Sequence, residues 1–199
     1  MESLEITQET QQPQWYAMSS GCCKEMKIYS LLKDREHVEA FLPLQRQERV
    51  VGKAIRKRVI TYRPVISSLL FVKATGGKMR ELKSIYNSML QFKMCLNRDK
   101  HQPIIVPNKQ MEDFIQLYNN VEEDKRDIYM PDEIDLRPDA KVMIKDGPFA
   151  GAIGYFQQVR SKITKKGKRE KRFVVKIDGF MACAAAIAEC EFVSLPAKS

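Results

Sequence analysis

Apolar residues recur along this chain at two different periods, and the two keep to different parts of it. Before residue 119, Cys22, Met26, Tyr29 and Leu32, then Met79, Leu82, Tyr86 and Met89, then Met111, Phe114, Ile115 and Tyr118 each trace one face of a helix. Beyond residue 138 the period is two: Val142 with Ile144, then Ile153, Tyr155 and Val159, then Phe173, Val175 and Ile177. Helices on a sheet and strands alone are different ways of burying apolar surface, so the two halves are expected to fold differently.

Charge marks the same division. Residues 1–14 carry three Glu and no cation, residues 15–118 a net +10, residues 119–138 a net −4 and residues 139–199 a net +6. The acidic stretch NNVEEDKRDIYMPDEIDLRP contains two prolines and few apolar residues, a composition that favours a linker over a core element. The expected organisation is therefore a polar N-terminal tail (1–14), a mixed α/β domain (15–118), an acidic linker (119–138) and an all-β domain (139–199). Basic segments of this size call for a polyanionic partner.

Within the first domain, WYAM and the apolar run VISSLLFVK read as strands, as does the stretch around MLQFKMCL. A charged hairpin pairs QRQERVV with IRKRVITY, and Asn108 is placed to cap the third helix. An antiparallel sheet with helices packed on it follows. In the second domain DGPFAG supplies a tight turn, and short strands within 61 residues point to a small closed barrel, since closure removes unpaired edges. One stretch objects to that reading: ACAAAIAE is made of helix formers where the barrel wants strands.

Several classes of function are excluded or weakened. The longest nearly apolar run, Val65–Val72, is interrupted by Ser67 and Ser68, against the roughly 20 apolar residues a membrane span needs. The N-terminus lacks the basic and apolar regions of a secretory signal, so a cytosolic location is expected. Five cysteines, an odd count, are read as thiols; Cys183 and Cys190 lack zinc-ligand spacing. His37 and His101 fall in different elements, and no Ser-His-Asp or Cys-His set, HExxH, GxGxxG or phosphate-binding loop is present. Neither catalysis nor a cofactor is implied.

Four stretches together, WYAM, YRPVISSLLFV, PIIVPNKQMEDFI and VMIKDGPFAGAIGYFQQV, resemble the NusG family of transcription elongation factors. The turn DGPFAG with the strand after it is similar to the KOW motif. The resemblance implies an α+β fold, an N-terminal NGN domain with an antiparallel sheet and flanking helices, followed by an SH3-like KOW β-barrel. It also implies that the N-terminal domain binds the clamp helices of RNA polymerase, with Ile66 and Leu69 as anchors and Tyr16 and Phe71 nearby. Lys24 and Lys27 on the first helix, with Arg56, Lys57 and Arg58 in the hairpin, are the implied contacts to nucleic acid, non-template DNA or leader RNA. Eight cations lie between Arg160 and Arg172 against Glu170 alone, and Lys165, Lys166, Lys168 and Arg169 of this run are further candidates for phosphate contact. Phe149 and Phe180 match the loops through which the family recruits Rho or a small-subunit ribosomal protein. Each of these residues has a plainer reading, as core for the apolar ones and solvated surface for the charged ones.

Three departures from the pattern narrow the resemblance. Where general members carry L-F-P-G-Y, this chain has Val65, Ile66, Ser67, Ser68 and Leu69. Glycine at such a turn supplies positive φ at low cost, so Ser68 implies a different backbone or strain. The basic hairpin is long, and alanines follow Phe180. The chain is thus more similar to the specialised RfaH and UpxY types, which act on selected operons such as those for capsular polysaccharide. An antiterminator is the expected function; the alternatives are an RNA-binding or ribosome-associated KOW protein, or a general elongation factor.

Overall fold

The computed structural model describes residues 12–21, 24–52, 57–94, 102–123, 125–130, 132–136, 141–160, 162, 169–185 and 192–195. The chain divides into two compact units between Pro107 and Asn108.

In the first unit β1 (Gln14–Ser20) is the central strand of an antiparallel sheet. It pairs with β5 (Leu69–Ala74) on one side, and β5 pairs in turn with β2 (Glu39–Phe41). Two short strands pair with successive stretches of β1: β6 (Leu90–Phe92) opposite Met18–Ser20, and β7 (Ile105–Val106) opposite Trp15 and Tyr16. The register sorts the side chains. Tyr16, Met18, Leu70, Val72 and Ala74 share one face, where they join Ile28 and Leu32 of α1 (Glu25–Lys33) and Met79 and Leu82 of α2 (Gly76–Ile85) in one cluster. Trp15, Ala17, Leu69 and Phe71 share the opposite face and are also buried. Each large side chain removed from water in this way contributes roughly 1.5–3 kcal/mol.

Helix starts follow local chemistry. Thr75 caps α2 by accepting the Lys78 N–H at 3.3 Å, leaving one fewer orphan donor in the first turn. In α1 the inward positions are Glu25, Ile28 and Leu32; Met26, expected inward, is 43% exposed. The helix turns a carboxylate inward because that group has a partner there: Glu25 accepts the backbone N–H of Ser68. The remaining strands of this unit, β3 (Leu44–Val51) and β4 (Lys57–Pro64), form a separate two-stranded antiparallel ribbon. It is rooted by Leu44, packed against the main cluster, and by the Val65 N–H bonded to the Pro43 carbonyl at 2.9 Å.

The second unit begins with α3 (Asn108–Asn120) and continues through β8 (Arg126–Tyr129), β9 (Lys141–Ile144), β10 (Ile153–Arg160), β11 (Arg169–Ile177), β12 (Met181–Ala185) and β13 (Phe192–Ser194). The six strands form one antiparallel sheet in the order β13-β9-β10-β11-β12-β8. Between β9 and β10 a 3-10 turn spans Gly147–Phe149, and Gly147 and Gly151 take φ of 76° and 79°, the left-handed conformation that glycine adopts without a Cβ penalty. Gly154 is needed for another reason. A Cβ there would lie 2.5 Å from the Val174 carbonyl and 2.7 Å from the Phe173 ring, so β10 and β11 meet only because the side chain is absent.

This architecture differs from the charge map in two places. The third helix groups with the C-terminal sheet, packing against β11 and β12, whereas its position in the sequence put it in a domain ending at residue 118. The stretch 119–138, read as a linker, supplies β8, whose Arg126, Asp127, Ile128 and Tyr129 pair with Ala185, Ala184, Cys183 and Ala182. Strand pairing satisfies the backbone there, and a buried ion pair accommodates the acid that composition assigned to solvent. Alanine's helix preference is likewise overridden: Met181–Ala185 is a fully buried strand, paired with β11 on one side and β8 on the other. Residues 186–190 of the alanine-rich run lie outside the described residues.

Candidate functional site

At the corner leading into β5, Ser68 has φ of 61°, in the left-handed region that costs a non-glycine residue roughly 1–2 kcal/mol. The conformation is held because the Ser68 N–H and, at 3.5 Å, the Ser67 hydroxyl both donate to the Glu25 carboxylate, itself 4% exposed. Sequence reasoning flagged this backbone at Ser68; the carboxylate that fixes it came from 43 residues away.

The four apolar residues named from sequence do not form one patch. Tyr16 lies on the face covered by α1 and α2, where burial pushes its phenol above the usual range, partly offset by Arg80. Leu69 and Phe71 lie on the other face, at 1% and 0% exposure, while Ile66 sits half-buried in the corner itself. The register adds residues that sequence reading missed: Trp15 and Ala17 share the face of Leu69 and Phe71, and Phe41 stands opposite Phe71. The period-two rule applied to β1 would have found Trp15 and Ala17 once the pairing was known. The Trp15 indole Nε1 is buried without a hydrogen-bond partner among the described residues, and the Lys73 ammonium stands 5.7 Å from the ring centre.

The basic residues fall in three places. Lys24 and Lys27 are both exposed at the start of α1, flanking the buried Glu25. Lys57 and Arg58 are exposed at the distal end of the ribbon but on opposite faces, since Lys57 pairs with Val51 and Arg58 with Val50; Arg56 lies outside the described residues. In the second unit Arg169 is exposed and pairs with Arg160, whereas Lys165, Lys166 and Lys168 lie outside the described residues. Three cations of that run are engaged within the protein, Lys171 standing 4.8 Å from the Phe156 ring centre. Arg172, 4% exposed, bonds Asp127 and Glu170, each at 3.0 Å, and Lys162 bonds Glu133 at 2.5 Å and stands over the Tyr129 ring. Burial alone would raise the Glu133 carboxyl, but the Lys162 ammonium and the Met130 N–H outweigh it and hold it below the usual range. A groove of about 550 Å³ opens here, lined by Tyr129, Glu133, Phe156, Arg160 and Arg169.

Phe149 and Phe180, expected on exposed partner-binding loops, are each 7% exposed. The loops that carry them are tied to α3. Lys109 donates to the Gly151 carbonyl and Gln116 to the Pro148 carbonyl, both at 2.7 Å, while Gln110 exchanges bonds with Asp178. Asp113, 2% exposed, accepts the Ile153 N–H and pairs with Lys109. Among the described residues no group of His, Cys, Asp or Glu is arranged to hold a metal ion. Cys183 is a buried thiol, pushed up to about 12 by burial, which keeps it from acting as a nucleophile. No helix among the described residues is long and apolar enough to cross a membrane.

Residues 13–115 match the family model described as NusG, transcription termination factor nusG. Among solved structures, the chain is similar to one titled "Domain interaction in Thermotoga maritima NusG", with 15% identity, a TM-score of 0.40, and 87% of this chain and 93% of that one covered. No curated protein matches the chain significantly.

Proposed function

The chain belongs to the NusG family of transcription factors, and from that premise we propose that it binds elongating RNA polymerase through its N-terminal unit and promotes processive transcription of selected operons, polysaccharide biosynthesis being the class its sequence resembles. The family is one of transcription factors rather than enzymes, and its members generally bind polymerase and nucleic acid. The observation that carries the reading is that the matched residues 13–115 contain the whole β1–β5 sheet and the corner bearing Ile66.

The face of Trp15, Ala17, Leu69 and Phe71 is the apolar surface a clamp helix would use, with the half-buried Ile66 in the corner that leads into β5. The Trp15 N–H, without an acceptor among the described residues, supports this choice. Such a group costs roughly 1–3 kcal/mol while it lacks an acceptor, and a partner supplying an oxygen would recover that cost. Because Leu69 and Phe71 are buried, a partner reaches them only if the surrounding structure rearranges. The left-handed Ser68, anchored by Glu25, supports a specialised member: the departure from Pro-Gly is matched by a partner elsewhere in the chain. Lys24, Lys27, Lys57 and Arg169 are exposed cations available to nucleic acid. Rho or a ribosomal protein approaching Phe149 and Phe180 would first meet α3.

The test uses the full chain, because Leu69→Asp would charge a core position and unfold the unit. Polymerase pull-down at two salt concentrations is expected to succeed with the wild type and to weaken about tenfold with Ile66→Asp, equivalent to roughly 1.4 kcal/mol. Terminator read-through in a transcription assay should fall in parallel. No binding to polymerase or to a stalled elongation complex, with binding to ribosomal subunits instead, would overturn the reading in favour of a ribosome-associated KOW protein.

A further inference from the structure

The β3–β4 ribbon forms a two-stranded sheet of its own beyond its root at Leu44. Eight cross-strand pairs run from Leu44–Pro64 to Val51–Lys57, a length of about 25 Å at roughly 3.3 Å per residue. Because paired residues point to the same side, the register assigns every side chain to one of two faces. One face carries Arg46, Glu48, Val50, Arg58, Ile60 and Tyr62; its Arg46 is held by Glu48 at 2.7 Å, and Val50, Ile60 and Tyr62 are 62%, 49% and 50% exposed. The other carries Arg49, Lys57 and Arg63 with Gln45, Gln47, Thr61 and the exposed Val51 and Val59, and no acid. Among the described residues none of those three cations has an ion-pair partner, and all three are exposed.

We propose that this second face of the ribbon enters the major groove of double-stranded DNA. The proposal deepens the nucleic-acid part of the function above and rests on it. Its shape fits: two strands about 4.8 Å apart make a ribbon the roughly 12 Å groove admits. Its chemistry fits as well. Arginine forks match guanine edges, glutamine amides match adenine and small apolar groups match the thymine methyl, so Arg63 opposite Gln45, then Gln47, then Arg49 opposite Val59 present base-reading groups in succession along the face. A-form RNA is a poor alternative, its major groove being too narrow for side chains to read. A single strand is also disfavoured, because sequence-tolerant strand binding uses stacked aromatics and the ribbon's one aromatic, Tyr62, lies on the other face. Arg58 is excluded from the contact despite its neighbour Lys57, since it points to the Tyr62 side.

The experiment measures fluorescence anisotropy of the full chain with a labelled 20-bp DNA duplex, the RNA duplex of the same sequence, and one DNA strand. Arg49→Gln with Arg63→Gln is compared with Arg46→Gln with Arg58→Gln; each pair removes two charges from exposed positions, and thermal melts verify that both variants fold. The first pair is expected to weaken duplex DNA binding at least tenfold and the second less than threefold. Equal losses from the two pairs, tighter binding of RNA duplex or single strand, or no duplex binding by the wild type would each overturn the proposal. The polymerase pull-down separates the two readings. If duplex binding is absent while polymerase binds, only the ribbon assignment falls; if duplex binds and polymerase does not, the polymerase reading falls and the ribbon assignment stands.

Discussion

Asp127 and Arg172 bring opposite charges to positions that are 2% and 4% exposed, and they meet at 3.0 Å between β8 and β11. Such a pair adds little net stability over an apolar one, but removing Asp127 leaves the buried Arg172 with Glu170 alone. Asp127→Ala should therefore cost about 1.5–3 kcal/mol in urea unfolding, the loss of one charged hydrogen bond, and combining it with Arg172→Met should recover part of that loss. Neither residue was legible as core. Arg172 closes a run of cations and Asp127 sits in an acidic stretch, and residue type alone assigns both to solvent. Ser68 was more legible, because a positive-φ position leaves a steric signature wherever glycine is replaced. Met26 misled for a related reason. Helical spacing gives the period of a buried face, but its exact angle was set here by Glu25 reaching the Ser68 N–H.

At the scale of elements, α3 shows the same limit. Its apolar face of Met111, Phe114 and Tyr118 could be read from spacing, but periodicity says that a face must be covered without saying by what. Its attachments to the sheet are polar and long-range, Gln110 to Asp178 and Asp113 to the Ile153 N–H among them. Burial alone would raise the Asp178 carboxyl, yet Lys176, Gln110 and Lys141 outweigh it and hold it below its ordinary 3.8. The ionised form is thus favoured by folding, so its contribution is full above pH 3.8 and is lost as pH falls through the lower folded value. Hydrogen exchange in the first turn of α3, corrected for intrinsic rates, should accelerate across that window, and Asp178→Asn should remove the dependence at that site. The ribbon was legible as a hairpin from its two charged runs; its two faces required the register, since a shift of one residue would exchange them.

For the whole molecule, the division at Pro107 predicts which fragments are complete. Residues 108–199 should give a dispersed amide NMR spectrum, because they retain α3, β8 and the Asp127–Arg172 pair. Residues 139–199, the domain that composition suggests, should give a collapsed spectrum or aggregate. That fragment opens the β12 edge, leaves Arg172 without Asp127 and bares the surface under α3. The α+β character was legible because the periods differ; that residues 126–129 join the sheet as β8 was not, because charge reports where a segment meets solvent on average and not which strand it joins. The placement of α3 before the strands it packs on also sets an order of events during synthesis. Met111, Phe114 and Leu117 leave the ribosome about 70 residues ahead of the end of β12, a delay of roughly 3.5–14 s at about 5–20 residues per second. For those seconds the helix that later closes over the C-terminal sheet has no such sheet to close over, and the nascent chain carries its apolar side uncovered by it.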